Sequence, residues 1–176
     1  MDHFREEIVV KKSRGLDEAV YIISAVVMVI LALFAVMQLQ VLFMAFDLYT
    51  LIATLISGGG AVLLFLRRDR LRSEYEYTFT NGEMDFAQVF NNNKRKSLGT
   101  MRVKNVEAFG PVSSPSFQRY ITMQGVKRDN WFLNRGAELY YFFFAKEGSK
   151  RVIVIEPSEE MVGLIKQYLS RGAYQA

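Results

Sequence analysis

The sequence predicts a two-part protein: a membrane α-helical hairpin, then a mainly-β (α+β) soluble domain closed by one C-terminal helix. Three observations lead there. Apolar residues are concentrated between Ala19 and Leu66. Apolar and polar residues alternate from Ser73 onward. A run of helical period follows Pro157 near the end. The bulk composition hides this division, since 51% hydrophobic residues and a mean hydropathy of +0.08 are ordinary values.

The first span, Ala19–Met37, carries no charge, and Ser24 is its one clearly polar residue. At 1.5 Å per residue it covers about 28 Å, close to the hydrocarbon thickness of a bilayer. Leu48–Leu66 is of similar length and also uncharged. A cleaved signal peptide fits poorly, because a long polar stretch precedes the first apolar run and a second span follows it. The connector Gln38–Asp47 is itself apolar, so it either lies at the interface or extends the first helix. Asp47 is expected to cap the second helix, where its charge meets the positive helix end. A role in proton or ion movement is the competing reading of that acid.

Basic residues give the hairpin a direction. Lys11, Lys12 and Arg14 precede the first span and Arg67, Arg68, Arg70 and Arg72 follow the second, while the connector has neither Lys nor Arg. The positive-inside rule then places both termini in the cytoplasm, in a multi-pass protein of the cell membrane. On the second span Ala53, Ser57 and Ala61 form a ladder of small residues that admits a neighbouring helix backbone. Ala25 and Ala32 offer a complementary seam on the first span, and homodimerisation is the alternative use of the ladder. Gly58-Gly59-Gly60 lacks the strand and the Lys-Ser/Thr of a phosphate loop.

The soluble part begins with Tyr75, Tyr77 and Phe79 alternating with polar residues, then Asn81-Gly82, then a return strand Glu83–Phe90. That is the signature of a β-hairpin with a type I′ turn. Asn91–Lys94 predicts a second turn and Arg95–Val103 a third strand. Val106–Phe109 reads as a short extended piece and Val112–Pro115 as loop. Tyr120–Met123 and Trp131–Leu133 read as strands flanking a polar loop, Gly125–Asn130. Glu138–Ala145 is aromatic on both faces and predicts a central strand covered on two sides, the alternative being one face left as an apolar groove. A turn at Glu147-Gly148-Ser149 leads into strand Arg151–Glu156. Ser158 is the expected N-cap of the last helix, whose apolar stripe is Met161, Leu164, Ile165, Tyr168 and Leu169, with Gly172 at its end. This gives four segments: a tail 1–18, a transmembrane hairpin 19–66, a basic linker 67–72 and a domain 73–176. The tail is open to two readings, disorder or an added edge strand from EEIVVKK. Trp131 is likewise open, as an interfacial anchor or as packed against the sheet.

Chemistry is sparse. There is no cysteine, which excludes disulfides and thiolate chemistry. The single histidine, His3, lies in the tail, so Ser113, Ser114 and Ser116 lack a histidine base within the domain. Glu83/Asp85 and Glu159/Glu160 suit a solvent face and a helix start, not a catalytic pair. The reading is a non-enzymatic protein with no cofactor and no metal. A net charge of +4 does not argue for nucleic acid. Lys94, Arg95 and Lys96 join the four juxtamembrane arginines as candidate membrane-surface residues.

The antiparallel order with a closing helix, carried by Tyr75–Phe90, Arg95–Val106 and Arg151–Leu169, resembles the pleckstrin-homology (PH) superfold. YTFTNGEMD and VIEPSEEM look like phrases from small bacterial membrane proteins in which a two-helix transmembrane hairpin precedes a PH-like domain. The resemblance implies a PH-like antiparallel sandwich or barrel of about seven strands. The anchor, the antiparallel domain and the lack of catalytic residues point instead to a membrane-anchored binding or scaffolding module whose partner is a protein, a peptide or a lipid headgroup. A small accessory subunit of a transport or envelope complex, acting through the hairpin, is the alternative. Acids beside Asn81-Gly82 argue against a phosphoinositide site at the first hairpin loop.

Overall fold

The computed structural model describes residues 3–146 and 148–176, apart from the side chain of Lys146. Met1, Asp2 and Glu147, and with Glu147 the expected turn there, lie outside it. The chain divides into two compact units. One spans Ser13–Ser73; the other joins the described residues up to Lys12 to Glu74–Ala176.

The first unit is two long helices, α1 (Gly15–Met44) and α2 (Leu48–Arg67), followed by a 3-10 turn, Arg68–Arg72. The connector extends the first helix, leaving a link of three residues. Asp47 caps α2: its carboxylate accepts from the Thr50 amide at 2.9 Å and from the Thr50 hydroxyl at 3.0 Å. Helix α1 has no buried residue, but the expected seam residue Ala25 is half-covered, as are Tyr21, Met28, Ala35 and Leu42, with Ser24, Leu31 and Gln38 between them. These last two sets recur at the heptad spacing of a two-helix seam. On α2 the buried residues are Thr54, Ser57 and Ala61. A Cβ added to Gly60 would sit 3.3 Å from Leu31 Cδ1, and one added to Gly58 would sit 3.8 Å from Ala35 Cβ. The seam therefore uses Leu31 and Ala35 where Ala32 was expected; Ala32 is exposed.

The second unit holds two four-stranded sheets. The first has order β1 (Phe4–Val9), β2 (Ser73–Thr80), β3 (Glu83–Phe90), β4 (Lys94–Arg102). The tail is thus ordered: β1 pairs antiparallel with β2, Glu7 opposite Tyr77 and Val9 opposite Tyr75. The β2–β3 turn has φ of 48° at Asn81 and 88° at Gly82, as a type I′ turn requires. The next turn meets the same requirement with Asn91 and Asn92.

A 3-10 turn, Val103–Asn105, leads to β5 (Ala108–Pro111), then α3 (Pro115–Ile121), β6 (Val126–Trp131), β7 (Tyr140–Lys146), β8 (Ser149–Ile155) and α4 (Glu159–Tyr168). The second sheet runs β5-β7-β8-β6. Here expectations fail at several points; of the expected strand Trp131–Leu133, only Trp131 is in a strand, at the end of β6. The stretch Pro115–Ile121 is helical, with Ser114 at its N-cap and proline at its start. The polar stretch read as loop is β6, and it pairs parallel with β8, so the strands are not all antiparallel. The expected strand at Tyr120–Met123 is instead the end of α3 and the bend after it. Polar β6 shows no alternation because it is a sheet edge, where charged residues are tolerated on both faces.

The core lies between the sheets and under α4. Tyr77, Phe79, Phe109, Phe142, Ile155, Met161 and Ile165 are fully buried there, and Trp131 packs on Phe86 with ring centroids 4.9 Å apart. Trp131 is thus a core residue, not a surface anchor. A second cluster joins Tyr141, Phe143, Val152 and Val154 to Phe117 and Tyr120 of α3. That helix covers the other face of β7, which accounts for a strand aromatic on both sides. Beyond β5, the C-terminal segment adds backbone pairing: the Phe109 amide donates to Ala173 O, and the Gln175 amide to Phe109 O, both at 2.8 Å. Gly110 is required there, because a Cβ would lie 2.0 Å from Gln175 O.

Candidate interaction surfaces

Of the small-residue ladder, Ser57 and Ala61 are buried in the helix seam and Ala53 is half-covered, with Thr54 taking the inward place. The Ser57 hydroxyl donates to Ala53 O at 2.8 Å and the Thr54 hydroxyl to Thr50 O at 2.8 Å. Both polar groups are satisfied within their own helix, leaving methyl and methylene surface for the neighbour. Beside this seam an apolar groove of about 380 Å³ is open, lined by Met28, Ala32, Val36, Ala61 and Phe65 among others.

The arginines that follow α2 separate into two kinds. Arg67 and Arg70 are exposed. Arg72 is engaged: its Nε donates to Glu18 Oε2 at 3.0 Å and its Nη2 pairs with Glu18 Oε1, while its guanidinium sits 3.7 Å from the centre of the Tyr21 ring. Arg68 lies 5.6 Å from the same ring and 5.6 Å from that of Phe65. A forked ion pair stacked on an aromatic is a geometry lysine does not reproduce. In the other unit Lys94, Arg95 and Lys96 are exposed on β4, and Arg95 pairs with Glu76 at 2.9 Å. A basic edge strand with a register shift opposite Phe86/Ala87 discourages pairing with a foreign strand.

A cleft of about 580 Å³ lies along β1 and the first turn of α4. Residues facing inward from β1 build one wall. Glu7 accepts from the Ser158 amide at 3.0 Å and from the Ser158 hydroxyl. Ser158 also caps its own helix by accepting from the Met161 amide at 3.2 Å. The carboxylate therefore sits at the positive end of α4. Arg5 bridges Glu7 and Glu160. Beyond the strand, Asn134 holds the chain at two points. Its Nδ2 donates to Val10 O at 2.9 Å, and its Oδ1 accepts from the Lys12 amide at 2.8 Å. Asn134 is itself fixed by Glu156, which accepts from its amide at 3.0 Å and its side chain at 2.8 Å. On the floor, burial and the hydrogen bond to Glu138 push the Tyr140 phenol up to about 12. Tyr77, bonded to Trp131 O and to the Glu156 amide, is raised further by burial.

Sequence reading recognised Ser158 as a cap but not Glu7, Asn134 or Glu156. Glu7 and Ser158 are 151 residues apart, and no local pattern joins them. Among the described residues no group of three or more His, Cys, Asp or Glu side chains is placed to hold a metal ion.

No curated protein and no solved structure matches the chain. One family model, described as Bacterial PH-like domain (DUF6106), matches residues 1–175. Two sheets closed by a C-terminal helix, behind two long apolar helices, are the architecture of a chain that belongs to this bacterial PH-like domain family.

Proposed function

We propose that this protein is a membrane-anchored, non-enzymatic binding or scaffolding module that presents its PH-like domain at the cytoplasmic face of the cell membrane. The observation that carries the reading is that an apolar helix pair interrupts a single folded domain. Both helices meet the length and composition of a membrane span, with mean hydropathies of 2.9 and 1.9. The strand before α1 is hydrogen-bonded to the strand after α2. Two spans and a return to one β-sheet are mutually consistent only when both ends of the pair lie on one side. The basic residues at those ends support the cytoplasmic side.

The absence of cysteine makes the test direct. Single cysteines at Ser97 (β4) and Phe46 (the link) would be probed with a membrane-impermeant maleimide. We expect Phe46→Cys to label in intact cells and Ser97→Cys only after lysis; labelling of Ser97→Cys in intact cells would sink the orientation. Cross-linking in native membranes followed by copurification then identifies the bound partner.

A second reading is favoured by one observation, the open groove beside Ala61. There the helix pair itself docks against a transport or envelope complex, or against a second copy of the chain. A partner whose recovery is lost in Ala32→Leu, at an exposed position of the groove, but kept in Ser97→Glu supports this reading over the first.

A further inference from the structure

The N-terminal strand does not resemble the strands around it. Val9 is its one buried side chain, at 8% exposure, while Phe4 and Ile8 are 62% and 57% exposed. What holds β1 is a backbone ladder and a row of polar contacts: Arg5 to Glu160, Glu7 to Ser158, and Asn134 to the backbone of Val10 and Lys12. Strands with little apolar burial belong to the least stable part of a fold. The neighbouring strand, by contrast, buries Tyr77 and Phe79 completely and is fixed by β3 on its other side. Removing β1 would leave β2 in place as a free edge, next to a helix N-terminus that now holds a carboxylate.

We propose that the β2 edge and the first turn of α4 form an acceptor groove for an extended peptide, held closed in cis by residues 4–9. Its specificity follows from what lies opposite each inward-facing position. Glu160 takes a basic residue; the Ser158 amide and hydroxyl take an acid two residues on; the core margin beside Tyr75 takes an apolar, β-branched residue two further. The ligand class is thus basic-x-acidic-x-apolar in a strand, added edge-on by main-chain hydrogen bonds. The inference rests on the binding-module reading and names the partner's chemistry. A tethered segment acts at an effective concentration on the order of millimolar, which excludes a free peptide of modest affinity.

The experiment uses the full chain in lipid nanodiscs and a fluorescein-labelled peptide of residues 3–10 as probe. Anisotropy is read on the parent chain and on a chain lacking residues 3–9. Binding to the shortened chain at least tenfold tighter than to the parent, and at least tenfold weaker for the peptide with Glu7→Gln, is the expected result. Equal binding to both chains, no binding to a folded shortened chain, or indifference to Glu7→Gln overturns the proposal. As a second measurement, hydrogen exchange is followed in full-length Glu7→Gln. Those amides of Ser73–Thr80 that face β1 should exchange about tenfold faster while those of β7 and β8 stay unchanged. If the whole domain loosens together, or the shortened chain does not fold, β1 is an integral strand and the proposal fails. Membrane retention of each chain is scored separately and reports on the anchor alone.

Discussion

The two units bury opposite things. In the helix pair the large apolar side chains point away, with Ile30 at 59% and Leu33 at 62% exposure, while the inward positions of α2 are Thr54, Ser57 and Ala61. In the β-domain the fully covered residues are Tyr77, Phe79, Phe109 and Phe142. One chain thus carries two solvation patterns. The β-domain is held by removing aromatic area from water. The helix pair gains nothing that way if hydrocarbon surrounds it, and close backbone approach between small residues takes over.

This contrast can be broken at its strongest point first. Phe142→Ala, in the centre of β7, should destabilise the β-domain by about 3–5 kcal/mol, whereas Ile30→Ala on the outer face of α1 should leave it unchanged. Denaturant melts in detergent, followed by tryptophan fluorescence of Trp131, would show the difference. Equal losses would mean that α1 is packed against water-excluded protein rather than lipid. Next, Ile30→Arg should hinder insertion by roughly 2.5–3.5 kcal/mol, seen as chain lost from the carbonate-resistant membrane fraction. The same residue placed on the solvent face of the β-domain, as Thr80→Arg, should leave fractionation unaltered.

A finer probe distinguishes the two sides of α2. Ser57→Leu forces a larger side chain into the seam and should weaken the pair by about 1–3 kcal/mol, while Ala53→Leu, half-exposed, should cost less. Disulfide trapping between cysteines introduced at Leu31 and Gly60 reads this, since loss of close approach in Ser57→Leu would slow the cross-link and Ala53→Leu would not.

The same division explains what could be read from the sequence. Elements whose evidence is local were legible: the Asn81-Gly82 hairpin, the aromatic strand β7, the Ser158-capped helix, and Asp47 at the start of α2. Elements decided by tertiary context were not. Helix α3 is seven residues long, too short for its Phe117/Tyr120/Ile121 spacing to stand out as periodic. Strand β6 has polar residues on both faces, and its parallel partner β8 comes after an intervening strand. The segment EEIVVKK was compatible with disorder or a strand because its partner lies beyond two long helices. The cleft beside it followed the same rule: Ser158 was visible as a cap, but the carboxylate it receives is folded in from the far end of the chain.

The smallest effect is set by pH and belongs to the β-domain. Tyr77 and Tyr140 both have phenols raised by burial, Tyr140 to about 12 with a further contribution from Glu138. In the unfolded chain a tyrosine ionises near 10. A group whose folded pKa is raised gives stability that is complete below the unfolded value and lost as pH climbs toward the folded one. Stability of the β-domain should therefore be level between about pH 8 and 9.5, then fall by a few degrees of Tm by about pH 11. Replacing Tyr140 by Phe removes one ionisation and should flatten that slope without shifting the plateau far, because the hydroxyl it deletes has Glu138 as its partner. The helix pair supplies an internal comparison. Its circular-dichroism signal should hold through the same range while near-ultraviolet signals of the domain decline. If the two decayed together across pH 10–11, the units would share one cooperative transition, and the contrast between their modes of burial would not extend to their stability.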